Sequence, residues 1–481
     1  METHEQGITA RLLAEFIVKA PRMFHQDARI RAAVEASVVD TISVALAART
    51  HPSHRPLERL ADTLPDGPAA GWSLNRGFQP QDAALVNSIA AHLLDFDDVT
   101  APLRGHPSTV LLPALVAASS VPRHLTDASG PTGSDVIDAF AVGFEVLIAL
   151  SEMYAPEHYA AGWHPTATVG IFGATAAVCR LRGMDTEQTT AALSLALSQT
   201  AGTRRQFGTT AKAFQVGVAS AAGLRAAEAA SAGFEGESGA LDDSRGAFGF
   251  LYARPDRPED AVRKLPSLSL TAEQSRLVQV GILPKLFPVC YAADVPVRAA
   301  IELVRLNGAT FSTADVECIE IAVSPGTMDP LVHAEPRTVD EARFSLPFAL
   351  AVALLRGGIG FEHLQDDFLT SSEVQHLMQK VTVTTKPWAS TPRRAEIQVR
   401  RHDGINQSAT CQQRIPAPQP LSEDRLLAMK VASCLTEATG RVGRGATTPG
   451  PSPSAALSAR LEGWELRPAA SLPQLWHGVL G

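Results

Sequence analysis

"QDAALVNSIAAHLLDF", residues 81 to 96, repeats apolar side chains at three- and four-residue spacing. That is the period of a helix with one buried stripe, and it predicts a helix ending near Phe96. "RIRAAVEASVVDTISVALAAR" (29–49) has the same period, and Ala-rich segments of this kind run from residue 8 to about 280. "GSDVIDAFAVGFEVLIALSEMY", "ATVGIFGATAAVCRLRG" and "TEQTTAALSLALSQTAG" continue it. Several carry alanine and glycine nearly all round, which predicts close packing inside a large bundle. Asp185 with Gln188, and Thr271 with Gln274, have the spacing of capping boxes at helix starts.

The texture changes near residue 283. A helix over "DVPVRAAIELVRLNG" precedes "DVECIEIAVSP", which alternates like a half-buried strand. "VDEARFSLPFALAVALLRGG" reads as one further helix. "QKVTVTTKP", "RRAEIQVRRHDG" and "QSATCQQRIP" read as three strands separated by turn residues. After "IPAPQP" the helical period returns in "SEDRLLAMKVASCLTEA", and "GRGATTPGPSPS" (443–454) reads as a flexible loop. The fold class expected is mainly α with an α+β insertion. A helical domain over 1–282 is followed by a smaller α/β lid domain over 283–418. Residues 419–481 then return to the helical domain.

With 481 residues, two domains are the natural division of the core. The formal charge of −8 and dispersed Lys and Arg argue against nucleic acid and anionic membranes as partners. The most apolar run, "DAFAVGFEVLIAL", carries Asp138 and Glu145 and is too short to span a bilayer. "METHEQGITARLLAEF" lacks a basic region followed by an apolar one, so no secretory signal is expected. Five cysteines, odd in number and widely spaced, read as reduced thiols. These readings describe a soluble intracellular protein, cytoplasmic or mitochondrial.

Chemistry concentrates in a few short stretches. "LDFDDVTAPLRGHPST" packs Asp95, Asp97 and Asp98 together and follows them with His106. The acids could be a metal cradle, a proton-handling centre or the solvated end of a helix. The alternating ligands, central glycine and distal glutamate of a calcium loop are missing. "GWHPTATVG" sets His164 before Pro165 much as Pro107 follows His106, and both imidazoles stand at helix starts. "RRQFGTTAKAFQVG" contributes Lys212 beside a glycine turn, without the GxxxxGK[ST] pattern of a phosphate loop. Lys212 there is either a surface charge or a carboxylate clamp. "GILPKLFPVCYAAD" puts Lys285 at the junction between domains, where ligand clefts form. GxSxG, HExxH and a strand-associated GxGxxG are all missing, which argues against serine hydrolase, zincin and dinucleotide oxidoreductase.

"AALVNSIAAHLLDFDDVT…GHPS", "GWHPTATVG…GATAA", "GTTAKAFQVG", "KLFP" and "DEARFSLPFALA" occur here in one order. In that order and spacing, over roughly residues 8 to 440, the chain resembles the MmgE/PrpD family. The family includes 2-methylcitrate dehydratase, cis-aconitate decarboxylase and iminodisuccinate epimerase. The resemblance implies a large helical domain with a smaller α/β lid, a homodimer, a small polycarboxylate substrate and no cofactor or metal. It implies that Asp95, His106, His164 and Lys212 line the active site, with Lys285 as the lysine of the K-[PR]-[YF]-P motif. Val99 occupies a threonine position of the decarboxylases, and Thr100 beside it is expected to substitute for that threonine in binding substrate.

The departures fall on the substrate-facing side. Gln215 and Cys290 stand where the family often has histidine, and Pro330 and Leu331 fall where the decarboxylases place a lid tyrosine. His333 is expected to supply a polar group for the substrate from that segment. On this resemblance His106 is expected to move the proton. Asp95 tunes it, and Asp97 and Asp98 are helix-end or interface residues. Lys212, Lys285 and His164 hold substrate carboxylates and the charge that develops, with Arg204 and Arg205 as further cations. The activity implied is a lyase decarboxylating an aconitate-like acid. The alternatives are a citrate-type dehydratase, an epimerase of an iminodisuccinate-like acid and a dimeric scaffold without turnover.

Overall fold

In the computed structural model the described residues are 8–22, 24–121, 130–154, 157–242, 268, 271–389, 392–414, 416, 424–439, 464 and 467. The loop expected at 443–454 and the first seven residues lie outside them. Asp27 starts the helix Ala28–Ala47, its carboxylate accepting the N–H groups of Arg29 at 2.8 Å and Ile30 at 3.3 Å. The helix Pro80–His92 packs along Ala211–Ser231. The close approach depends on Gly217, where a Cβ would sit 2.5 Å from Ile89 Cγ1 and 2.7 Å from the Leu85 carbonyl. That contact fixes the start of the second helix beside the end of the first.

Helices Ser108–Ser119, Gly133–Tyr154, Gly170–Arg182 and Thr186–Leu197 complete one continuous apolar core. Leu427, Val431, Cys434 and Leu435 of the helix Arg425–Thr439 belong to that same core, packed against Ala28–Ala47. The Asp185–Gln188 capping box forms as expected. Thr271 and Gln274 instead make a turn, and the next helix, Arg276–Gln279, is capped by Ser275.

A short hairpin pairs β1 (Ala69–Ala70) with β2 (Gly77–Phe78). The main sheet holds β3 (Val316–Val323), β4 (Val381–Thr385), β5 (Arg394–Arg401) and β6 (Asn406–Gln412) in the order β4-β3-β5-β6. β3 runs parallel to β4 and antiparallel to β5, and β5 is antiparallel to β6. Ala395, Ile397 and Val399 alternate inward along β5 and bury a second apolar core under the helices Asp294–Asn307 and Leu346–Arg356. The helix expected over 339–358 is two, Val339–Ala342 and Leu346–Arg356. Ser345 breaks it by capping the Phe348 N–H, and Pro347 lies in the first turn that follows.

The sheet-bearing part and the helical part are stitched at several points. Val99 and Leu283 exchange both backbone hydrogen bonds at 2.9 Å. Ser53 Oγ donates to the Asp340 carboxylate, and Phe207, from a loop of the helical part, is buried in the second core. Among the described residues no helix is long and apolar enough to cross a membrane.

Candidate active site

The helix Pro80–His92 stops at His92, short of the expected Phe96, because the chain turns into a left-handed residue at Asp95 (φ +50°). A non-glycine residue pays for that backbone, and it persists where the surroundings over-determine it. Here two lysines do so. Asp95 Oδ1 accepts from Lys212 Nζ at 2.6 Å, and Oδ2 accepts from Lys285 Nζ at 2.9 Å. Lys285 Nζ also donates to the Asp95 main-chain carbonyl. All three residues are buried.

Asp97 and His92 extend the network. His92 Nδ1 lies 2.7 Å from Asp97 Oδ2, and His92 Nε2 lies 2.6 Å from Lys212 Nζ. An ionised carboxylate only accepts, so Nδ1 carries the His92 proton and Nε2 accepts from the ammonium. His106 stands between the acids, Nε2 3.5 Å from Asp95 Oδ1 and Nδ1 3.3 Å from Asp97 Oδ2. Its backbone N–H donates to Thr166 Oγ1, and Gly105 before it leaves no room for a Cβ, which would lie 2.3 Å from that oxygen. His92 meets His106 edge to face at 4.6 Å and stacks on His164 at 5.9 Å.

Burial alone would raise the Asp95 carboxyl, but Lys212 and Lys285 hold it far below the carboxylate range. Asp97 is likewise held ionised against its burial by His106 and His92. Burial pushes His92 down to about 4, and it pushes His164 well below the ordinary imidazole range, so both rings are neutral near pH 7. Of the three readings of the acids, the solvated helix end is excluded, since Asp95, Asp97 and Asp98 are all buried. Asp97 is part of the cluster rather than a helix-end residue. Asp98 faces the other way and meets Ser108 at the start of the next helix. That helix begins at Ser108, one residue past Pro107.

A cavity of about 120 Å³ opens beside this cluster. Asp95, His106, His164, Lys212 and Thr100 border it, although the chain separates Asp95 from Lys212 by 117 residues. The Thr100 hydroxyl donates to the Gly281 carbonyl. Lys285 is not among the cavity's lining residues; its ammonium is turned onto Asp95, so it neutralises the acid rather than facing a ligand. Arg204 lies 3.9 Å above the Tyr159 ring, Arg205 is exposed, and neither borders the cavity. His333 is drawn away from it, with Nε2 3.1 Å from the Phe207 carbonyl oxygen. The opposite wall brings Pro330, Cys290, Arg104, Arg393, Tyr159 and Tyr291. His92 and the two cavity arginines were missed from sequence. His92 sat unremarked in the stretch that predicted its helix, and a lone arginine in a loop carries no pattern.

His92, Asp95, Asp97 and His106 bring ligand atoms within 4.8 Å of one another, a donor set that a divalent ion could use. Two ammonium groups already stand there. Lys212 holds both His92 Nε2 and Asp95 Oδ1, and Lys285 holds Asp95 Oδ2. A metal would have to displace them or face their charge, so the donor set fits lysine pairing better than a metal.

Residues 11–259 match the MmgE/PrpD N-terminal domain, and residues 287–444 match the MmgE/PrpD C-terminal domain. A cis-aconitate decarboxylase of Mus musculus is 30% identical over 313 residues, 64% of this chain and 61% of that protein. One of Homo sapiens is 29% identical, covering 64% of this chain and 62% of its own. One of Aspergillus terreus is 26% identical over 413 residues, 81% of this chain and 82% of its own. The matches thus span about three fifths of the length of the two mammalian proteins.

Proposed function

The chain belongs to the MmgE/PrpD family, and on that premise we propose that it is a cofactor-independent lyase decarboxylating a small aconitate-like acid. The observation that carries the reading is the cavity wall itself. An ionised Asp95 clamps Lys212 there, and His106 lies within 3.5 Å of Asp95 and 3.3 Å of Asp97. The relatives' names supply the reaction class.

Breaking the bond to a carboxylate releases CO2 and leaves the electron pair on the substrate carbon, spread into a neighbouring carboxylate as an enolate. That charge needs a fixed donor, and Lys212 provides one that the Asp95 carboxylate and the neutral His92 hold in place. The pair must then take up one proton at carbon. His106 is the group that delivers it, since an imidazole exchanges protons readily near neutral pH. His164, held neutral, offers a hydrogen bond to a substrate carboxylate without adding charge. The part over 283–418 closes the cavity as a lid in this reading, and the protein works as a homodimer, which light scattering after gel filtration tests.

The decisive experiment incubates the purified protein with cis-aconitate in D2O and follows it by NMR. Loss of CO2 with one deuterium placed on carbon is expected. Water addition or loss without CO2 would replace the reading by a dehydratase, and exchange without net change by an epimerase. No reaction across a panel of di- and tricarboxylates would leave a scaffold.

A further inference from the structure

The inner wall of the cavity is already balanced. Asp95 and Asp97 are ionised, Lys212 and Lys285 are cationic, and His92 and His164 are neutral. Leaving aside His106, which moves the proton, two negative charges against two positive ones leave no fixed surplus for a substrate that brings two or three carboxylates of its own. The surplus lies elsewhere. Among the described residues, Arg104 and Arg393 are the other cationic side chains that border the cavity, and neither makes an ion pair.

The two guanidinium groups come from different parts of the fold. Arg104 sits on a tight turn locked by Thr100 N–H to the Gly105 carbonyl at 3.1 Å and Arg104 N–H to the Ala101 carbonyl at 3.1 Å. Its own backbone is left-handed, at φ +51°, and those two hydrogen bonds hold it there. Arg393 stands immediately before β5 in the sheet-bearing part. Tyr159 carries both Arg104 and Arg204 on its ring, its centroid 5.3 Å from Arg104 Cζ and 3.9 Å from Arg204 Cζ. Arg204 hydrogen-bonds the Asp329 carbonyl and so is engaged elsewhere. Burial, and next to it the nearby Arg393, disfavour the Arg104 charge. The Asp329 carboxylate offsets part of the Arg104 charge, but two guanidinium groups that make no ion pair among the described residues are stabilised by an anion placed between them.

We propose that Arg104 and Arg393 form a distal carboxylate subsite, clasping the substrate carboxylate farthest from the reacting carbon and selecting tricarboxylates over dicarboxylates. The proposal rests on the lyase reading for the identity of the substrate, but not for the binding itself. Because the two arginines belong to the two parts of the fold, an anion held by both also ties those parts together.

The test measures binding of propane-1,2,3-tricarboxylate, which has no double bond to react, and of glutarate, by calorimetry. Wild type is compared with Arg104→Gln, Arg393→Gln, the double variant and Arg393→Lys. Each glutamine variant should bind the tricarboxylate roughly 10- to 100-fold more weakly, the size of a lost hydrogen bond to a charged group. Glutarate should lose much less, so the double variant no longer distinguishes the two acids. Arg393→Lys should recover part of the affinity, which separates lost charge from misfolding. A double variant that keeps wild-type affinity and selectivity would overturn the subsite, as would a wild type that binds no tricarboxylate. If selectivity collapses as expected yet no acid is ever decarboxylated, the lyase reading falls and the subsite stands. Turnover with unchanged KM in every arginine variant would have the opposite meaning.

Discussion

One tetrapeptide, Asp95-Phe96-Asp97-Asp98, builds two buried acid clusters on its two sides, and they have opposite electrostatics. On the cavity side Asp95 has two lysines and Asp97 has two imidazoles, and both carboxyls are held ionised. On the far side Asp98 shares a neighbourhood with Asp40 of the helix Ala28–Ala47, and one cation, Lys430, serves both. Burial and the nearby Asp40 carboxylate push Asp98 up to about 8, and Asp40 is raised as well. All four acids are equally buried, so burial does not decide their state. The cations and hydrogen-bond donors that face each carboxylate do. The side with surplus donors can keep fixed charges facing a substrate. The side with a single lysine must hold a proton, and it joins the C-terminal helix to the bundle.

The two sides should differ most in what they do to activity. His106→Ala should lower kcat by on the order of 10²–10⁴, the usual contribution of a general acid or base, while circular dichroism still shows a folded protein. Near-full turnover in that variant would remove His106 from the proton path and the cavity side from the chemistry. On the other side the loss should be one of stability. Lys430→Ala leaves Asp40 and Asp98 without their cation and should cost roughly 3–5 kcal/mol in urea unfolding. Enzyme that remains folded should turn over at a rate near wild type. A Lys430→Ala protein of normal stability would mean that Asp40 and Asp98 are neutral together and need no cation.

The helical bundle and the sheet were legible because long runs repeat one period. The strands β3 to β6 alternate, and the helices bury small residues at fixed spacing. The break at Ser345 was not legible, since the apolar period runs through it and only the cap at Phe348 N–H interrupts the helix. Of the site, Asp95, His106, His164 and Lys212 were found as residues, but their geometry was not. Nothing local shows that Lys285 turns inward to Asp95 or that His92 joins Lys212, because both contacts bridge more than 100 positions. The split of Asp97 from Asp98 was equally hidden. Adjacent residues in an irregular segment point to different neighbours, and those neighbours come from Ser108 and the helices that carry Asp40 and Lys430.

The smallest effect is the sharpest test of the comparison. Asp98 binds its proton more tightly folded than unfolded, its carboxyl lying near 8 rather than at the ordinary 3.8. Between those values the folded state therefore carries more protons than the unfolded state, and stability must fall as pH rises. The slope from this one group is at most about 1.4 kcal/mol per pH unit. Asp98→Asn supplies a neutral side chain of the same shape, so at pH 5 the change should be about 1 kcal/mol or less, the size of one hydrogen bond. As pH rises toward 8, wild type should lose stability that the variant keeps, and the variant should gain relative to it until the difference levels off. Asp95→Asn gives the contrast. Asp95 is held low in the folded state, and its stabilising charge is lost only as pH falls below the ordinary carboxylate range. Its cost should therefore be constant from pH 5 to 9. Urea midpoints for wild type and both variants at pH 5, 7 and 9 decide it. Parallel curves for Asp98→Asn would mean that Asp98 is ionised like its neighbours, and the two sides of the tetrapeptide would be electrostatically alike.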